Sequence, residues 1–287
     1  MRTYQRRSRV LFALVIGILQ LSAGCQQVAA NSAQDQAAKQ HLTPIQLEIE
    51  KQRQRLSSAE IEDRREALIR LRSLNHPEAS RTALSALNDP APIVRATAAT
   101  SVLSLPADET AANLVPLLSD KDEFVRQQTA YALGHTRSRA AIAPLVERLS
   151  DKKDSVRGAA AVALGQIGDS TAVSSLAAVL NPQAGLGQSK KEKKNKREQN
   201  PFVLRAAARS LGEIGNRAGL PALVIVLQDE KAEDDVRREA AFALGAIGDA
   251  SAIPSLQGAL TARDPYLAEA AREAIRKISS SQAGSDA

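Results

Sequence analysis

Five runs of this sequence are copies of one another: "VRATAATSVL" from Val94, "VRQQTAYALG" from Val125, "VRGAAAVALG" from Val156, "VLRAAARSLG" from Val203 and "VRREAAFALG" from Val236. With a degenerate first copy anchored at Asp63 and a last one at Leu267, successive anchors lie 31, 31, 31, 47, 33 and 31 residues apart. A recurrence of that length predicts a linear array of small supersecondary units. No unit can bury its apolar face alone, so neighbours must share one continuous core.

Within a copy, apolar or small residues fall at offsets 0, 4, 7, 8 and 11, as in Val156, Ala160, Ala163, Leu164 and Ile167. That spacing is one face of an α-helix. Gly165 with Gly168, Gly212 with Gly215 and Gly245 with Gly248 are expected to end these helices, since glycine accepts a left-handed conformation past the last turn. A second apolar series follows at offsets 17, 20 and 24, for example Val173, Leu176 and Leu180. Each copy therefore reads as a helical hairpin, and the chain as an all-α solenoid of six to seven hairpins. Alanines such as Ala159, Ala160 and Ala163 favour helix and let backbones approach closely. The last copy stops after its first helix, near Ile278, with Arg272, Glu273, Arg276 and Lys277 as a polar cap.

These residues resemble HEAT-like repeats of the phycobilin lyase type, whose pattern runs roughly "VRxxAAxALGxIGD…AxxxLxxxL", over about residues 60 to 278. The resemblance implies the fold and leaves activity open, because this architecture serves lyase subunits, hydroxylases, glycosylases and pure scaffolds alike. It also implies that the recurring Arg64, Arg95, Arg126, Arg157 and Arg237 pair with acidic residues of neighbouring turns, with Asp89, Asp120, Asp151 and Asp234 as partners. An anion-binding ladder is the functional alternative.

The N-terminus carries a different signal. Arg2, Arg6, Arg7 and Arg9 precede an uncharged apolar run from Val10 to Leu21, then small residues and Cys25, the single cysteine of the chain. That is a secretory layout, too short for a membrane-spanning helix of about 20 residues. "LSAGC" resembles the cleavage site of a bacterial lipoprotein, which implies lipidation of Cys25, export and membrane attachment; Gln26 after it points to the periplasmic face of the outer membrane. The expected organisation is a signal at 1–25, a tether at 26–57 with a short helix, the repeats at 58–280 and a disordered tail at 281–287.

The long interval between Val156 and Val203 holds a basic insertion at about 183–200, with Lys190, Lys191, Lys193, Lys194, Lys196 and Arg197. It is a solvated loop or a docking element for an anionic envelope ligand. Without the signal (+4) and this run (+5), the formal charge of +6 becomes −3, so the body is no polyanion binder and no nucleic-acid partner is expected.

No cofactor or metal site is expected either. His41, His76 and His135 are scattered, no His-Glu dipeptide of the hypusine-type hydroxylases occurs, and "GLGQSKK" from Gly185 lacks Walker spacing. The outward positions of the second helices, which line the concave side in HEAT arrays, are mild and almost uncharged: Ala143, Glu147, Ser174, Ala178, Pro221, Ile225, Gln228 and Pro254. This strip suits a protein or peptide ligand. The sequence therefore points to a membrane-anchored periplasmic scaffold, not an enzyme. Left open are a phycobilin-lyase-like catalytic or chaperone subunit and an envelope-polymer binder acting through the basic loop.

Overall fold

The computed structural model describes residues 42–181 and 200–285. Cys25, the lipoprotein signal and the run Lys190 to Arg197 lie outside the described residues. Contacts divide the chain between Lys51 and Gln52 into two units. Helix α1 (Pro44–Arg55) begins in the first unit and ends in the second, and it is the short helix expected in the tether.

The second unit is an alternation of long and short helices. The long ones grow from the repeated motif: α2 (Ile61–Ser73), α4 (Pro92–Ser101), α6 (Glu123–Thr136), α8 (Asp154–Ile167), α10 (Pro201–Ile214), α12 (Asp234–Ile247) and α14 (Pro265–Ser285). Between them stand α3 (Pro77–Ala83), α5 (Ala107–Leu114), α7 (Ile142–Arg148), α9 (Val173–Leu180), α11 (Leu220–Gln228) and α13 (Ile253–Ala259). Helix α14, the last described element, runs on to Ser285 through the segment read as a disordered tail.

Every anchor from Val94 onward, together with Leu133, Leu164, Leu211 and Leu244 one face along, is fully buried. Leu145, Leu176, Leu223 and Leu256 of the short helices are fully buried as well. Each leucine removed from water contributes roughly 1.5–3 kcal/mol, and each is shared between neighbouring hairpins, which is why the array coheres without a tryptophan.

The paired glycines divide their roles, contrary to the reading that both end the helix. Gly168, Gly215 and Gly248 are the left-handed caps, with φ of 75°, 70° and 77°. Their partners Gly165, Gly212 and Gly245, with Gly134, lie inside helices. A Cβ on Gly212 would sit 2.8 Å from the Cα of Ala243 on the next long helix. Successive long helices thus approach backbone to backbone, and glycine is required by contact.

Candidate protein-binding faces

Three rungs stitch the turns of the array. Arg95 donates from Nε and Nη2 to Asp120 at 2.7 and 2.8 Å, while its Nη1 donates to the carbonyls of Asp89 and Pro90 at 2.7 and 3.1 Å. Arg64 repeats this on Asp89, and Arg126 on Asp151. Each aspartate also accepts from a backbone N–H two residues on, that of Ala91, Asp122 or Lys153. The arginines are thereby committed to structure rather than to a ligand. Asp234 departs from expectation: it pairs at 3.4 Å with Arg237 of its own helix, three residues on, and bridges no neighbour.

Two surfaces remain exposed along the array. The first is the strip read from the sequence. Ala143 and Glu147 on α7, Ser174 and Ala178 on α9, Pro221, Ile225 and Gln228 on α11, and Pro254 on α13 are all exposed. Among these eight, Ile225 is the one exposed large hydrophobic residue, at 48%. Glu147 is held by Arg148 and Gln228 reaches Ser255.

The second surface, on the long helices, was passed over by the sequence reading. Every aromatic residue after Phe12 stands either one residue before an anchor or six after it: Phe124, Phe202 and Tyr266 before, Tyr131 and Phe242 after. In the structure Phe124, Phe202 and Phe242 are 42%, 39% and 43% exposed, and Tyr266 is 71% exposed. Ile69, six residues beyond Asp63, joins them as an exposed large hydrophobic residue. Aromatic side chains with few χ angles, held partly exposed, are what protein interfaces concentrate. The signal was legible as a column in the repeat alignment.

The rest of this face has two characters. On α4, α6 and α8 the outward residues between the aromatics are neutral: Thr97, Thr100, Gln127, Gln128, Val162 and Gln166. The Gln166 Oε1 is buried without a hydrogen-bond partner among the described residues and lies over Gly134. On α10, on α12 and at the start of α14 the charges pair with one another: Arg205 with Asp235 at 2.6 Å, Arg209 with Glu239 at 2.9 Å, and Arg238 with Asp264, just before α14, at 3.3 Å. Arg238 also lies 5.8 Å from the centre of the Tyr266 ring, a cation–π contact. The Glu239 hydrogen bond holds the Arg209 guanidinium above its ordinary value, while burial pushes the Glu213 carboxyl up.

The two described histidines take a capping and a solvent position. His76 uses Nδ1 to cap α3, accepting from the backbone N–H of Glu78, and His135 is exposed at the end of α6. Among the described residues no three His, Cys, Asp or Glu side chains come together as metal ligands, and no helix is long and apolar enough to cross a membrane.

A hairpin array stitched at its turns and displaying repeated outward faces is an α-solenoid. The sequence matches the HEAT-repeat family over residues 49–134, 111–186 and 195–282, and the chain belongs to that family. A stretch of 70 residues is 43% identical to deoxyhypusine hydroxylase of Gallus gallus, covering 24% of this chain and 23% of that protein. The chain is thus matched to about a quarter of that relative's length. Among solved structures it is similar to the karyopherin Kap121p bound to the extreme C-terminus of the protein phosphatase Cdc14p, at 14% identity and a TM-score of 0.56, covering 88% of this chain and 32% of that one. It is also similar to the CpcE–CpcF complex of phycocyanin lyase from Nostoc sp. PCC7120, at 21% identity and a TM-score of 0.48, covering 84% and 95%. At these identities the likeness is one of fold.

Proposed function

We propose that this chain is an exported scaffold, anchored through a lipid on Cys25, that binds a protein partner on the exposed face of its long helices. The observation that carries the reading is the placement of Phe124, Tyr131, Phe202, Phe242 and Tyr266, which occupy two outward columns of the repeat and no other position. An aromatic at an outward position leaves part of its apolar surface in water, and a partner removes that cost. Rigid long helices hold these side chains at fixed spacing, which lowers the entropy lost on docking. The short-helix strip from Ala143 to Pro254 is the competing surface, and the basic run Lys190 to Arg197 supplies orientation against an anionic envelope component.

Photo-crosslinking residues placed at Gln128, on the aromatic face, and at Ala178, on the strip, separate the two surfaces in living cells. A single dominant adduct from Gln128 alone supports the proposal. The same adduct from Ala178 alone moves the interface to the strip, and equal labelling from an exposed turn residue such as Glu230 sinks both. Anchoring is read separately, since Cys25→Ala should leave the membrane fraction.

A second reading, an enzyme acting on a deoxyhypusine-bearing protein, has the 70-residue match at 43% identity in its favour. Mass spectrometry of such a substrate after incubation with the purified chain and ferrous iron decides it.

A further inference from the structure

One position of the repeat breaks its own rule. Counting 23 residues on from the anchors Asp63, Val94, Val156, Val203 and Val236 gives Ala86, Leu117, Val179, Val226 and Ala259. All five are apolar and buried. The same count from Val125 gives Arg148, near the end of α7, whose side chain is 23% exposed. Of its N–H groups, Nη1 donates to the Leu118 carbonyl at 3.1 Å and Nη2 to the Glu147 carboxylate at 3.3 Å. Glu147 is 72% exposed, so that pair is screened by water and compensates little. Nε is buried with no hydrogen-bond partner among the described residues.

Arg148 lines an open crevice of about 360 Å³ between the turn at 119–121 and the turn at 151–152. That size falls in the range of small-molecule sites, roughly 300–1,000 Å³. Its walls carry Lys121, Arg126, Arg148 and Lys152 against two carboxylates, Asp120 and Asp151. Both carboxylates are already taken, Asp120 by Arg95 and Asp151 by Arg126. Lys121 and Lys152 hold the same place in successive copies, and both are exposed, so they flank the crevice from its two turns. We propose that this crevice is a phosphate site, in which Arg148 supplies a planar fork of donors and Lys121 and Lys152 supply point charges. Three cations around one opening suit a group with about two negative charges and several acceptor oxygens better than they suit a carboxylate. The crevice also has room for the organic part of a phosphate monoester. Nothing in this site depends on which helix face a protein partner uses.

The probe is inorganic phosphate, titrated into the full chain by calorimetry at constant ionic strength, with chloride as the balancing anion. Saturable binding is expected, and the thermal midpoint should rise as phosphate is added. Arg148→Leu gives this copy the residue type that Leu117 holds in the preceding one, so the variant should fold and should bind phosphate at least about tenfold more weakly. Lys121→Gln, on an exposed turn, is the second variant and should weaken binding several-fold. Binding that is absent, or that is equal in the parent and both variants, overturns the proposal. Glycerol 3-phosphate and phosphatidylcholine vesicles containing phosphatidic acid then separate the sources of the phosphate. Arg148-dependent binding of the soluble ester alone makes the ligand a free phosphate monoester, and Arg148-dependent binding of the vesicles makes it a lipid headgroup.

Discussion

Arg126 grips Asp151 with two parallel hydrogen bonds, Nε to Oδ2 at 2.9 Å and Nη2 to Oδ1 at 3.0 Å, and both side chains are more than nine-tenths buried. The pair joins the start of α6 to the turn after α7, so it fixes one hairpin against the next. Removing one partner strands the other. Asp151→Ala should therefore cost about 3–5 kcal/mol, because an uncompensated buried guanidinium remains. A double replacement, Arg126→Met with Asp151→Leu, should recover most of that loss. Urea midpoints of the three chains check both statements, and a single variant within 1 kcal/mol of the parent, on the order of one ordinary surface change, would count against a structural ladder.

The same aspartates set the acid limit of the array. Burial alone would raise Asp89, Asp120 and Asp151, but hydrogen bonds from Arg64, Arg95 and Arg126 and from the turn amides outweigh it, and all three are held below the usual carboxylate range. A carboxyl depressed in the folded state binds protons more tightly when unfolded. Its stabilisation is complete above the unfolded value of about 3.9 and is lost as pH falls through the lower folded value. Stability should thus be level in this respect from pH 7 to about 5 and drop steeply below 4. Asp→Asn at each rung should lower the plateau and flatten the acid limb in chemical denaturation.

Glycine supplies a paired test of close packing. Gly212→Ala places a methyl 2.8 Å from the Cα of Ala243, and the backbone there has nowhere to move without parting α10 from α12. Overpacking of this kind costs about 1–3 kcal/mol. Gly258 on α13 has nothing within 4 Å of its absent Cβ. Gly258→Ala should instead raise stability by up to about 1 kcal/mol through helix propensity. Thermal midpoints moving in opposite directions would establish the contrast, and two losses would contradict it.

Much of this architecture was legible because repetition multiplies weak signals. Val94, Val125, Val156, Val203 and Val236 each say little alone, but their common spacing announces the hairpin, and the following Gly-x-x-Gly marks where the long helix stops. What spacing could not tell was which glycine of a pair bends the chain and which admits a neighbour, since the Gly-x-x-Gly pattern is the same whether a glycine is helical, as Gly165 is, or left-handed, as Gly168 is. The partner of Arg157 was hidden for a related reason. Arg157 keeps the motif, but among the described residues the carboxylate it meets is Asp154 of its own helix, which spacing between repeats does not announce. The outward aromatics were missed although they sit in plain columns, because attention fell on the second helix as the binding side. Spacing assigns a residue to a face; it does not say which of two exposed faces a partner uses.

That choice can be forced with surface variants. Phe124 and Phe242 are anchored by helices whose cores lie on the other side, so Phe124→Ser with Phe242→Ser should change folding stability by less than about 1 kcal/mol per site. Partner retention should nonetheless fall at least tenfold, on the order of the 1.4 kcal/mol expected when even one aromatic anchor of an interface is truncated. Ile225→Asp on α11 is the matched control: it places a charge on the strip's one large apolar side chain and leaves the aromatic face intact. Quantitative co-purification of the crosslinked partner distinguishes the surfaces. If Ile225→Asp releases the partner and the double serine variant retains it, the strip is the interface and the aromatic columns serve something else.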